Sequence, residues 1–203
     1  MDKPASADVP IHDLIARRWS PRAFADRPVA KVSLLQLFEA ARWAASSNND
    51  QPWYYLVATR DHPAEFQQML ACLVEFNQTW AKAAPVLAIS VARTNFQRDA
   101  SPNHHARHDV GAASALLSLQ AAALGLAVHQ MAGFDAERAR ATYHIPEDYQ
   151  PVAAMAIGYP GDPAALPEKL RERENAPRAR KPVSEFVYSG DWGRQAPFIT
   201  GKS

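Results

Sequence analysis

Three arginines and a serine crowd together at Arg17, Arg18, Ser20 and Arg22, in the stretch R-R-W-S-P-R-A-F. A guanidinium is a planar fork of donors, charged at any ordinary pH, and it suits phosphate oxygens. The Ser20 hydroxyl can join the same anion. A second polar set, S-S-N-N-D-Q-P-W from Ser46 to Trp53, offers short hydroxyl and amide side chains. Asn77 stands further on, and Arg178, Arg180 and Lys181 form another basic group near the C-terminus. One ligand with a single phosphate and a flat ring rich in donors and acceptors would use all four sets. Taken singly, each basic group also reads as a solvated turn or tail.

Other chemistries lack their residues. There is no G-x-S-x-G and no evident nucleophile–base pair, and Cys72 falls within a helical pattern, as a small core residue would. His104 and His108 are spaced as two ligands on one helical face, with His105 and Asp109 beside them. No third ligand follows at a sensible spacing, so the group reads better as a polar loop entering a helix N-terminus. Neither G-x-G-x-x-G after a strand nor a P-loop is present, which argues against a Rossmann or Walker site.

These residues need elements to position them. A short helix is predicted over residues 11–16, ending at the arginines, where Pro21 blocks continuation. Ser33 and Gln36 read as a capping box opening a helix with Leu34, Leu37, Phe38, Ala41 and Ala45 on one face. Residues 53–59, W-Y-Y-L-V-A-T, predict a strand. Asp61 is read as the cap of a single helix through Phe66, Met69, Leu70, Leu73 and Phe76, with Asn77 at its end. Residues 85–92 predict a buried strand, and residues 93–107 a mobile loop. Residues 109–124 are small and apolar on nearly every face and predict a helix buried all round, inside a domain or at a subunit interface, ended by Gly125. Strands over 127–131 and 152–158 flank a helix over 135–143 capped by Asp135. Helices and strands alternate without a regular βαβ rhythm, so the expected class is α+β, a sheet with helices around it.

Composition bounds the reading. A chain of 203 residues suggests one domain, and 47% hydrophobic residues against 21% charged suffice for a core. The net charge of +1 calls for neither nucleic acid nor membrane. An RNA-binding reading of the arginines also lacks an aromatic RNP-like strand. A single cysteine permits no intrachain disulfide. The first residues lack the apolar core of a leader, and the longest apolar run is about half the ~20 residues a spanning helix needs. A soluble cytoplasmic protein is expected. Sixteen prolines gather mainly at both ends, so extended arms are expected over about residues 1–10 and 162–203.

The order of the motifs R-R-W-S-P-R-A-F, S-S-N-N-D-Q-P-W, D-V-G-A-A, A-L-G-L-A-V-H-Q-M-A-G-F-D, I-G-Y-P and P-R-A-R-K-P resembles the nitroreductase-like family of flavin enzymes. The pieces cover most of the chain, and their combination is specific. The resemblance implies a mixed, mainly antiparallel sheet flanked by helices, in a homodimer that exchanges its C-terminal arms. It implies two FMN molecules in grooves at the interface. Positions matching Arg18, Trp19, Ser20 and Arg22 would hold the phosphate, ribityl chain and ring edge. Ser46, Ser47 and Asn49 would reach FMN from the other subunit, and Asn77 would face the ring. The backbone of Met131, Ala132 and Gly133 would pass near N5, and Arg178 with Arg180 would complete the phosphate site.

The implied activity is hydride transfer from NADH or NADPH through FMN to an electron-poor acceptor, a nitroaromatic, quinone or enone, by ping-pong kinetics. No side chain need act as catalytic base. The chain departs from the family where Ala45 replaces a frequent proline, where Trp80 stands for a lysine of some members, and where Ala132 stands for a glutamate of some. The 93–107 connection is short beside members with a helical excursion over the substrate. Dehalogenation and flavin fragmentation usually come with extra lid elements that this chain lacks room for. A non-catalytic flavin-binding protein is the alternative from another class.

Overall fold

A computed structural model describes residues 3–200; the first two residues of the expected N-terminal arm and the last three of the C-terminal arm lie outside them. The sheet has four strands: β1 (Trp53–Thr59), β2 (Val86–Arg93), β3 (Ala127–Met131) and β4 (Tyr149–Gly158), in the order β1-β2-β4-β3. Every pairing among the described strands is antiparallel, in keeping with the mainly antiparallel sheet flanked by helices that was expected. β2 lies between two partners and is covered on both faces, which explains its unbroken V-L-A-I-S-V-A run.

One face of the sheet is covered by α2 (Lys31–Arg42) and α5 (Ala106–Ala123), around Leu37, Ala88, Leu117, Met155 and Ile157. The other core joins α3 (Pro63–Leu70), α4 (Glu75–Ala81) and α6 (Ala136–Tyr143) around Phe66, Met69, Trp80, Ile89 and Ala154. α1 (Asp13–Arg17) precedes the arginine segment. α7 (Glu168–Asn175) and α8 (Pro197–Thr200) follow the sheet.

Local signals explain the ends. Asp135 caps α6 by accepting a hydrogen bond from Arg138 N–H at 2.9 Å. Gly125 sits at φ 71° after α5, while the Leu126 and Gly125 amides donate to the Ala121 and Ala122 carbonyls. That is the Schellman arrangement, which favours glycine.

Several expectations are corrected. α2 opens at Lys31 after Ala30, which makes no side-chain cap bond, so Ser33 lies inside the helix rather than capping it. The helix expected from Asp61 through Phe76 breaks in two. The chain turns at Cys72–Leu73, where Leu73 bridges to Phe134 and Cys72 C=O accepts from Asp135 N–H. Asn77 therefore lies inside α4, not at a helix end. Within this chain α5 leaves Gly111 and Ala115 exposed, so of its two expected settings burial inside the domain is the one corrected. β4 begins three residues before the expected start and tolerates Pro151 through a register shift at Ser90/Val91. There the Ser90 hydroxyl donates to Ala153 C=O and accepts from Ala153 N–H.

The connection after β2 folds back on itself. Asp50 accepts hydrogen bonds from Arg93, from Gln97 N–H and from Asn103, and its carboxylate side chain is 5% exposed. The C-terminal arm is also more structured than proline content suggested, because α7 buries Leu170 and Glu174 one turn apart.

Candidate functional site

The segment after α1 is fixed on three sides. Glu174 Oε1 on α7 accepts from the amides of Arg22 at 2.7 Å and Ala23 at 3.0 Å. Ala25 N–H donates to Tyr159 C=O and Gly161 N–H to Ala23 C=O, just past β4. His129 on β3 meets Pro21 C=O at 2.9 Å through Nδ1. A carbonyl only accepts, so this contact places the ring proton on Nδ1. Pro21 itself is buried, so the turn it forces is part of the core.

The side chains of this segment line a cavity of about 260 Å³ with Lys3, Glu174, Arg178 and Arg180. Burial, then the nearby charges of Arg178 and Arg180, hold the Arg18 guanidinium below its usual pKa. Its recorded side-chain partner is the Ser20 hydroxyl at 3.4 Å. Like charges gathered without a carboxylate on Arg18 make a site that an anion would relieve. Lys3 Nζ lies 5.2 Å from the centre of the Trp19 ring and donates to the Glu174 and Ala176 carbonyls.

Arg178 behaves differently from Arg18. It donates to the carbonyls of Lys3 at 2.6 Å, Ala16 at 2.8 Å and Arg18 at 3.0 Å. It is a clamp between the two ends of the chain, and its contribution to an anion is mainly charge. Arg180 is exposed and bonded only to the adjacent Ala179 carbonyl.

Arg22 borders the same cavity, with its side chain 25% exposed. Its Nε is buried and has no hydrogen-bond partner. A buried orphan donor is costly and asks for an acceptor. The arginine cluster with this orphan donor suits a phosphate ester that also carries a flat, acceptor-rich ring, so the residues present fit FMN.

Asn77 is 9% exposed and donates to Gly133 C=O at 2.9 Å, while its Oδ1 accepts from Trp80 Nε1 at 3.3 Å. Asn77 thus holds the turn after Met131 and Ala132. A Cβ on Gly133 would stand 2.5 Å from Asn77 Nδ2, so any other residue would press on the amide that makes this bond. Trp80 packs against His129 at 4.6 Å, linking this turn to Pro21 and the arginines. Burial first, and then the charge of Arg22, push the His129 pKa down to about 4, against opposing backbone hydrogen bonds.

Ser46, Ser47 and Asn49 do not join the arginine cavity within one chain. They sit in a 3-10 turn (Ser47–Asn49) held by Asp109 near the start of α5, whose Oδ2 accepts from Ser47 N–H. Trp19 and Arg18 instead border Ser118, Ala122 and Gly125 near its end. Asp109 is roughly 14 Å from Ser118 and 20 Å from Ala122 along the helix. His104, His105 and His108 gather no group of three metal-type side chains among the described residues.

Glu174 is the residue that the sequence reading missed. It stands in the charged run L-R-E-R-E-N, where every charge reads as solvated. The available signal was its four-residue spacing from Leu170.

Residues 15–159 match the family described as the Nitroreductase family. A putative NADH dehydrogenase/NAD(P)H nitroreductase of Streptomyces coelicolor is 28% identical over 167 residues, covering 71% of this chain and 80% of that protein. An uncharacterized 15.4 kDa protein of Mycolicibacterium smegmatis is 36% identical over 124 residues, covering 61% of this chain and 82% of that one. Among solved structures, one described as an oxidoreductase containing FMN superposes with a TM-score of 0.88 at 34% identity, covering 94% of this chain and 96% of its own. A Clostridium difficile nitroreductase family protein shares the fold, with a TM-score of 0.66 at 23% identity over 86% and 94% of the two chains.

Proposed function

The chain belongs to the Nitroreductase family, and from that premise we propose that it is an NAD(P)H-dependent FMN oxidoreductase acting on an electron-poor acceptor of nitroaromatic, quinone or enone type. The observation that carries this is the arginine cavity with its buried unpartnered Arg22 Nε. The relatives named for FMN and for NAD(P)H nitroreductase activity support the same reading.

FMN, when bound, would supply the hydride chemistry between donor and acceptor. The chain's residues bind and orient it. Arg18, Ser20 and Arg180 would hold the phosphate, and the field of Arg178 would add to theirs. Trp19 borders the ribityl side. Arg22, at the cavity wall, would place its guanidinium toward the ring's pyrimidine edge and would favour negative charge there. Asn77 fixes the Met131–Ala132–Gly133 turn through the Gly133 carbonyl, so that backbone keeps one position beside the ring.

Ser46, Ser47 and Asn49 come from the partner in a homodimer. Their placement away from the arginine cavity of their own chain supports that assignment.

The test is direct. Purified protein should show flavin absorbance, or acquire it stoichiometrically with FMN but not with FAD. Anaerobic NADH or NADPH should bleach it, and a nitroaromatic or quinone should restore it. A protein that stays colourless after FMN reconstitution overturns the proposal. One that binds FMN yet resists bleaching is a passive flavin binder.

A further inference from the structure

Behind the arginine cavity a buried donor and a buried acceptor stand unmatched. Arg22 Nε and Glu174 Oε2 both lack hydrogen-bond partners, and Arg22 Nη1 stands 3.9 Å from Glu174 Oε2. That separation is too long for a hydrogen bond but keeps the Coulomb attraction of an ion pair. Glu174 is 2% exposed, and its other oxygen is spent on the amides of Arg22 and Ala23. The carboxylate therefore acts on Arg22 twice. It fixes the backbone from which the side chain projects, and it opposes the guanidinium charge without capturing its Nε.

We infer that Glu174 is a positioning and charge-setting residue for Arg22, so that the guanidinium reaches the flavin ring edge with its charge partly offset. This rests on the FMN reading above. Trp80 supplies no second cation in this region, and His129 is held neutral at ordinary pH by burial. The balance between Arg22 and Glu174 then governs how strongly the site favours reduced over oxidised flavin. Removing the carboxylate charge leaves the Arg22 charge unopposed and favours the reduced form.

Glu174→Gln is the informative change. The side-chain carbonyl of glutamine can still accept from both amides, so the shape is kept and the charge is lost. The affinity of reduced FMN relative to oxidised FMN should rise about tenfold, which for a two-electron couple is an upward shift of about 30 mV in midpoint potential. The measurement is spectroelectrochemistry of FMN-loaded wild type, E174Q, R22M and the double variant. In the double variant the increment due to E174Q should shrink, since without Arg22 only the direct field of the carboxylate on the ring remains. A role limited to holding the backbone would leave the potential of E174Q where it was.

A second readout needs no flavin. In the apo protein, R22M leaves the buried carboxylate without its counter-charge, so its melting temperature should fall, and adding E174Q should restore part of the loss. This comparison decides the matter where E174Q alone loads poorly. An unchanged potential in E174Q, the same shift with Arg22 already removed, or a double variant less stable than R22M overturns the role of Glu174 alone. A wild-type chain that takes up no FMN overturns the cofactor reading and the ring-edge tuning with it.

Discussion

Arg18 separates two readings of the basic cluster at the scale of one side chain. A hydrogen bond to a charged group contributes ~1.5–3 kcal/mol, so Arg18→Ala should weaken FMN binding roughly 10- to 150-fold. Arg18→Lys should recover only part, because lysine keeps the charge and loses the fork. Arg18 is crowded by Arg178 and Arg180 in a half-buried place, so the apo protein should not lose stability when it is removed. An FMN titration beside an apo melting curve checks both halves; unchanged affinity in Arg18→Ala returns the cluster to a solvated turn. His129 gives a pH prediction. Burial lowers its pKa from 6.5 to about 4, so the unfolded chain binds the proton more readily. The stability tied to neutral His129 is fully present above pH 6.5 and is lost as pH falls toward 4. The loss is up to roughly 3 kcal/mol. Denaturant unfolding across that range, wild type against His129→Gln, should show the acid-side slope reduced in the variant. Arg18, Ser20 and Arg22 were legible as a group because they lie close together in the sequence, and the structure brings them to one cavity with Arg178 and Arg180. Glu174 was not, since burial of one glutamate in a charged helix depends on what packs above it.

At the scale of elements, the strands were legible where β-branched and aromatic residues ran together, and β1 and β3 begin and end where the sequence put them. The caps at Asp135 and Gly125 were legible for the same local reason. The break between α3 and α4 was not. It is made by long-range bonds from the 133–135 turn, which no local pattern records. α7 escaped because its two buried positions sit among six exposed ones. The weld between the arginine segment and the end of β4 gives a test at this scale. A Cβ on Gly161 would stand 2.5 Å from Phe24 C and 2.8 Å from Ala25 N, both backbone atoms. Backbone cannot swing aside as a side-chain tip can, so Gly161→Ala should cost about 1–3 kcal/mol and loosen the turn that carries Arg22. Gly125→Ala meets no atom within 4 Å, so its cost should be confined to the positive φ, ~1 kcal/mol. Melting temperatures of the pair, with FMN titration, check the distinction; equal FMN loss in both would remove the special place given to Gly161.

For the whole molecule, the question is what covers the apolar surface that one chain leaves open. Val32, Leu35 and Trp43 on or just after α2 are 62%, 60% and 73% exposed, and Trp192 and Phe198 in the C-terminal arm are 93% and 76% exposed. Large exposed aromatic groups of this kind ask for a partner surface. The turn bearing Ser46, Ser47 and Asn49 is likewise remote from the arginine cavity of its own chain. A second copy answers both, and we predict a homodimer that persists at low protein concentration. Truncation before Pro177 removes the aromatic arm and with it the Arg178 bonds to Lys3, Ala16 and Arg18. Dimer and FMN affinity should weaken together in that variant. Arg178→Ala in the full chain removes the clamp and keeps the aromatic arm. It should loosen the N-terminal segment and weaken FMN while leaving most of the dimer, because the apolar surface is untouched. Sedimentation at several concentrations, with and without FMN, distinguishes the three proteins. A full-length chain that sediments as an FMN-loaded monomer would mean that one subunit completes the site. The assignment of Ser46, Ser47 and Asn49 to a partner would then fail, and the exposed aromatic groups would need another cover.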